Sequence, residues 1–219
     1  MNKTGFIFDL DGVIVDTAKY HYLAWKKLAN DLGFEFTKEQ NELFKGVSRK
    51  RCLEILLNDI GKINYTQEQF DSWMIEKNED YLEFISNMNS SEILPDVPKV
   101  LNYLKEKEIP IALGSASKNA KPILEKVGLL NYFQVVVDGT HVAKAKPDPE
   151  VFLIAAKQLK VNPENCVVFE DAVAGVEAAN AARMTSIGIG DQNILSHAKY
   201  NFTDFTKISI QFINKLISN

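Results

Sequence analysis

The chain has only two cysteines among its 219 residues, Cys52 and Cys166, far apart and outside any metal-ligand spacing. A disulfide framework and a cysteine-based metal site are thereby excluded, and two buried, reduced thiols are expected. No segment approaches the roughly 18 consecutive apolar residues of a membrane span. The first apolar run is broken by three aspartates by Asp16, too soon for a signal peptide. An excess of basic residues is also missing: 25 Lys and Arg face 29 Asp and Glu, for a net charge of −4. The electrostatic footprint of a nucleic-acid binder is therefore absent, although a local basic pocket for a small anion remains compatible. No Gly-x-Gly-x-x-Gly follows the first apolar run, which argues against a dinucleotide site. What remains is an ordinary globular balance, 46% hydrophobic and 25% charged, enough to bury a sizeable core. A cytoplasmic monomer that binds neither membrane nor nucleic acid is expected.

Five short apolar runs end in small or acidic residues: 5–10 (GFIFDL), 109–115 (IPIALGS), 133–138 (FQVVVD), 166–171 (CVVFED) and 185–190 (TSIGIG). Near-continuous apolar character suits strands covered on both faces, as in a parallel sheet. Between them Val97, Val100, Leu101 and Leu104 repeat at helical spacing. Ile123, Leu124 and Val127 form another stripe, closed by Gly128, and 151–159 and 172–182 supply two more. Alternating strand and helix predict an α/β fold with a Rossmann-like parallel sheet. Residues 18–90 differ. Tyr20, Leu23, Ala24 and Leu28 make a helical stripe ending near Gly33, and 51–60 and 67–85 are helical without an intervening strand. The expected organisation is an α/β core of residues 1–16 and 91–219 with a helical domain, 17–90, inserted after the first strand. Residues 16–17 and 87–94 would be its linkers.

The first run ends in Phe8-Asp9-Leu10-Asp11-Gly12. Ligands of open α/β sheets sit beyond the carboxyl ends of the strands, so two carboxylates are well placed there for chemistry. Alone, Asp-Gly would be turn chemistry, and Gly12 comes too early for an EF-hand loop. Other strand ends add Ser115, Lys146 before Pro147, and the pair Glu170-Asp171. Singly these are a loop serine, a surface charge and a favourable helix start. Together they place carboxylates, a hydroxyl and an ammonium at one sheet edge.

These motifs, in this order, resemble the haloacid dehalogenase superfamily of phosphohydrolases and phosphotransferases, with the helical insertion as its cap domain. The resemblance implies Asp9 as a nucleophile forming an aspartyl phosphate and Asp11 as general acid and base. It implies Mg²⁺ on the side chains of Asp9 and Asp171 and the carbonyl of Asp11, with Glu170 a ligand directly or through water. Ser115, the Ala116 amide and Lys146 would neutralise the transferring oxygens.

Three further segments are similar to the β-phosphoglucomutase family: Asp16-Thr17-Ala18-Lys19-Tyr20-His21 on to Trp25, Lys45-Gly46-Val47-Ser48-Arg49, and Ser115-Ala116-Ser117-Lys118-Asn119. The resemblance gives His21 and Lys77 the tasks of assisting closure and orienting the acid-base aspartate. Arg49, Ser117, Lys118 and Asn119 would hold the phosphate that is not transferring, Arg49 as a bidentate fork. Spacing alone does not single out His21 or Lys77, and the latter has an i, i+3 charge partner in its own helix. Trp25 and Phe44 either shape a sugar pocket or pack a core. The implied reaction interconverts β-glucose 1-phosphate and glucose 6-phosphate through a bisphosphate. A sugar-phosphate phosphatase and a non-catalytic sugar-phosphate sensor are the alternatives. Lys144 and His141 have no counterpart in the family pattern, and 61–68 diverges in composition.

Overall fold

The computed structural model describes residues 4–44 and 47–218. Lys45 and Gly46 lie outside them. Each of the five apolar runs forms a strand: β1 (Gly5–Phe8), β2 (Ile111–Gly114), β3 (Val135–Val137), β4 (Cys166–Glu170) and β5 (Thr185–Ile189). A sixth, β6 (Tyr200–Phe202), lies at the edge of the sheet. Its three half-buried residues, with Asn201 in the middle, carry no apolar run that the sequence could display. All pairs are parallel, in the order β3-β2-β1-β4-β5-β6.

The described residues also form nine α-helices, besides short 3-10 turns: α1 (Ala18–Asp31), α2 (Lys38–Asn41), α3 (Arg49–Ile55), α4 (Gln67–Phe84), α5 (Val97–Glu106), α6 (Ala120–Lys126), α7 (Glu150–Leu159), α8 (Val173–Ala181) and α9 (Ile210–Ser218). Successive strand side chains point to opposite faces, and both faces are covered. Phe6, Phe8, Leu113 and Phe169 pack against Val100 and Leu104 of α5, Ile123 of α6 and Ile213 of α9. Ile7, Ala112 and Val168 pack against Phe152, Ala155 and Ala156 of α7 and Ala178 and Ala179 of α8. Phe8 and Phe169 stack across neighbouring strands with centroids 4.8 Å apart. Each fully buried phenylalanine of this kind contributes about 1.5–3 kcal/mol, which fixes the register that matters for the site.

From α1 to α4 the described chain is helical, and it has a hydrophobic cluster of its own around Trp25, Leu28, Phe36, Phe44, Leu53, Leu56 and Phe70. Thr37 and Thr66 open α2 and α4 with reciprocal capping boxes to Gln40 and Gln69. The single helix expected over 51–60 is instead α3, begun earlier by the Ser48 cap, followed by a wider turn, Leu56–Ile60, in which the Gly61 amide reaches back to the Leu56 carbonyl. The two connecting segments run side by side. Val15 bridges Ile93, the Asp16 amide donates to the Glu92 carbonyl, and the Leu94 amide donates to that of Ile14.

Candidate active site

The register carries the strand ends level. Phe8 is opposite both Leu113 and Phe169, so the next residue, Asp9, falls beside the ends of β2 and β4. There Lys146 reaches in from the β3–α7 connection, after which its peptide with Pro147 is cis. Its Nζ donates to Asp9 Oδ1 at 2.6 Å, Glu170 Oε1 at 2.5 Å and the Gly114 carbonyl at 3.1 Å. Burial by itself pulls this lysine down, but Asp9 and Glu170 outweigh it and hold the ammonium above the ordinary lysine range. Lys146 therefore remains a fixed positive charge against Asp9. Ser115 is fully buried, and its Oγ accepts from the Ser117 amide at 3.1 Å, shaping the loop that presents Ala116, Ser117 and Lys118.

Asp11 sits in a different setting. Desolvation first, and the negative charge of Asp9 second, raise its pKa from 3.8 to about 7. The Thr17 hydroxyl donates to its Oδ1, and His21 Nε2 faces the same oxygen at 3.8 Å. His21 stacks on Tyr81 at 4.1 Å, and its Nδ1 lies 3.0 Å from Lys77 Nζ. Burial, then Lys77 and Arg49, hold the imidazole well below its ordinary pKa. A neutral ring that accepts from Lys77 at Nδ1 carries its proton on Nε2, toward Asp11. Lys77, in turn, is pushed down to about 7, mainly by burial and then by Arg49. A carboxyl group titrating near neutrality can both give and take a proton there.

A cavity of about 330 Å³ separates the sheet edge from the helical segment. Asp9, Asp11, Ser115, Ala116, Ser117, Lys118, Lys146 and Asp171 line it from the sheet side, and His21, Trp25, Arg49 and Lys77 from the helices. These are most of the residues singled out in the sequence. Two others stand elsewhere. The Glu170 carboxylate lies behind the cavity wall, held by Lys146 and by the Ala172 amide at 2.9 Å, and a Cβ on Gly175 would overlap it. Here it is a partner of Lys146. Asn119 donates through Nδ2 to Asn78 Oδ1 of α4 at 3.0 Å, joining the loop after β2 to the helices.

Across 3–183 the chain matches the haloacid dehalogenase-like hydrolase family. It is 43% identical over 185 residues to β-phosphoglucomutase of Bacillus subtilis, covering 84% of this chain and 82% of that one. The chain belongs to the haloacid dehalogenase-like hydrolases, among the β-phosphoglucomutase-like proteins. A crystal structure of β-phosphoglucomutase from Clostridium difficile superposes with a TM-score of 0.93 at 39% identity, covering 99% of this chain and 97% of that one. A phosphorylated carbohydrates phosphatase of Thermotoga maritima is 33% identical over 183 residues, 83% of this chain and 82% of the relative.

For a haloacid dehalogenase-like hydrolase the donor set suits a hard cation. Asp9, Asp11 and Asp171 offer only oxygen, they line one cavity, and Gly12 has no side chain to keep Asp171 away: a Cβ there would overlap the Asp171 carboxylate. Among the described residues no three acidic, histidine or cysteine side chains already form an ion cage. The cavity also contains Cys52, whose thiol burial pushes up to about 12, so it stays protonated. Asn41 and Asn78 join the site without a signal in the sequence, and Thr17, noted only as part of the Asp16–His21 segment, joins it with no role assigned beforehand. Thr17 occupies a linker position where a helix cap is the natural reading, yet it makes no cap bond because its hydroxyl goes to Asp11.

Proposed function

We propose that the protein is a β-phosphoglucomutase, interconverting β-glucose 1-phosphate and glucose 6-phosphate through a glucose bisphosphate. The observation that carries this reading is a pair of cationic groups lining one cavity from its two sides: Lys146 beside Asp9 on the sheet side, and Arg49 on the helical side. A monophosphatase needs the first alone. A mutase must hold a bisphosphate by both ends, release it and bind it turned over.

In this mechanism an oxygen of Asp9 attacks phosphorus in line, forming the aspartyl phosphate as the bond to the leaving oxygen breaks. Protonated Asp11 gives its proton to that leaving oxygen. In the return transfer ionised Asp11 takes the proton of the attacking sugar hydroxyl. Thr17 and His21 hold Asp11 from two sides, and Lys146, Ser115 and the Ala116 amide receive the charge of the transferring oxygens. Mg²⁺ would be held by Asp9 and Asp171 and by the Asp11 carbonyl, and when bound it would offset the crowding of negative charge. Glu170 supports this site through Lys146. Arg49, Ser117, Lys118 and Asn119 serve the far phosphate. We place the active protein in the cytoplasm as a monomer acting on a small sugar phosphate; no helix among the described residues is long and apolar enough to cross a membrane.

The deciding assay supplies β-glucose 1-phosphate, Mg²⁺ and a catalytic amount of the bisphosphate. Glucose 6-phosphate should form much faster than free phosphate; equal rates would overturn the mutase reading. The similarity to a carbohydrate phosphatase favours a second reading, a sugar-phosphate phosphatase with the same Asp9 chemistry. Arg49→Ala separates the two. It should lower mutase kcat/KM by about 10²-fold or more, the cost of losing a charged bidentate contact, but alter hydrolysis of a monophosphate only slightly.

A further inference from the structure

Asn41 ends α2 and contributes to the cavity wall on the helical side. It is only 9% exposed, and its Oδ1 is buried with no hydrogen-bond partner among the described residues. A buried amide oxygen without a partner is unfavourable, and native proteins keep few of them. A leucine of similar size would fill the same wall without that cost. Around the cavity Asn41 shares the wall with Trp25, Phe44, Met74 and Lys77, apolar rings and chains with one ammonium. Phosphate is the wrong ligand for this oxygen, because a dianion has no proton to donate, and the cationic groups already stand on the two sides of the cavity. A hydroxyl group is the right one. The terminal torsion of an asparagine is soft, so the amide can turn its oxygen to an O–H in the cavity.

We infer that Asn41 is a specificity residue, accepting a hydrogen bond from a ring hydroxyl of the sugar between the two phosphate positions. This rests on the sugar-phosphate reading above and adds the group that reads the sugar. A site built to bond a hydroxyl discriminates strongly against an analogue lacking it.

The test compares wild type and Asn41→Ala on two phosphoryl donors, the sugar phosphate and acetyl phosphate, which phosphorylates Asp9 without a sugar. The variant should lose 10- to 100-fold in kcat/KM with the sugar phosphate, chiefly through KM, and at least tenfold less with acetyl phosphate. Among monodeoxy sugar phosphates, one should be a poor substrate for wild type and no worse than the parent sugar for the variant. Equal losses with both donors, or a sugar kcat/KM within twofold of wild type, would overturn the inference. Asn41→Ser provides the same comparison should the alanine variant not fold. If wild type hydrolyses sugar phosphates without isomerising β-glucose 1-phosphate, the mutase reading falls; the Asn41 comparison is then made on the hydrolysed sugar.

Discussion

Between Trp25 and Tyr81, with Nζ 4.6 and 4.8 Å from their ring centres, the Lys77 ammonium is 1% exposed and has given up nearly all its hydration. Arg49 repels it; Asp11 and Asp80, when ionised, recover part of the loss; His21 accepts its hydrogen bond. A pKa lowered from 10.5 to about 7 means that the unfolded chain binds the extra proton between those values. Stability therefore rises with pH from about 7 to 10.5, and the full penalty is present below about 7. Lys77→Met removes it. Allowing for two lost cation–π contacts, the gain at pH 7 should be about 2–4 kcal/mol, or roughly 5–12 °C in Tm, fading toward pH 10.5. Activity should fall at the same time, because His21 loses the donor that fixes its tautomer. Thermal melts of both proteins from pH 6.5 to 10 check this; a lower Tm for Lys77→Met at pH 7 would contradict it. The same residues show where the sequence is silent. Asp9, Asp11 and Ser115 are legible because each interrupts or follows a buried apolar run, and Lys146 through its place before Pro147 in the order of the motifs. Lys77 and His21, 56 positions apart, acquire meaning only when α1 packs on α4, and the family resemblance is what brings them forward. Asn41 and Thr17 are ordinary polar residues until their surroundings close over them.

The turn after β1 joins backbone conformation to charge. Gly12 has φ +79°, and an added Cβ would overlap the Asp171 carboxylate. Gly33, just past α1, has φ +85°, yet a Cβ there would meet nothing within 4 Å. Alanine at either position carries a left-handed backbone penalty of about 1–2 kcal/mol. Only Gly12→Ala also displaces a carboxylate of the site. The pair should thus show similar or modestly different losses in Tm, roughly 2–8 °C, with activity falling by about 10²-fold or more in Gly12→Ala and less than twofold in Gly33→Ala. Comparable activity in the two variants would mean that the position of Asp171 is not limiting. Reading Asp-Gly as turn chemistry and reading it as part of a site are then both correct, because the turn makes room for the acid. At this scale, too, sequence pattern has a clear limit. Five strands, the edge strand β3 among them, are visible as apolar runs, but β6, at the opposite edge, is short and keeps a polar centre. The widened turn at Leu56–Ile60 leaves no mark in the periodicity.

On the scale of the whole molecule, the sheet edge and the helical segment must stay together while the aspartyl phosphate exists, since water entering the cavity would hydrolyse it. Several contacts join the two parts. Near the linkers, Glu92 accepts from Lys19 at 2.6 Å and from the Tyr20 hydroxyl at 2.7 Å; an ion pair as exposed as this one adds little. Farther out, the Asn119–Asn78 hydrogen bond spans from the loop after β2 to α4 and can exist only while the cavity is shut. Its net contribution should be about 0.5–1.5 kcal/mol, equivalent to a two- to tenfold change in the ratio of shut to open molecules. Asn78→Ala leaves Asp9, Asp11, Lys146 and Arg49 in place and weakens only the closure. The expected consequence is a change in partition rather than in chemistry. Free phosphate released per glucose 6-phosphate formed should rise two- to tenfold, with Tm within about 2 °C of wild type. Both products can be counted in one reaction, so the ratio is independent of enzyme concentration. An unchanged ratio would show that closure does not depend on this bond. A fall in both products together would show that Asn78 acts on the transfer itself.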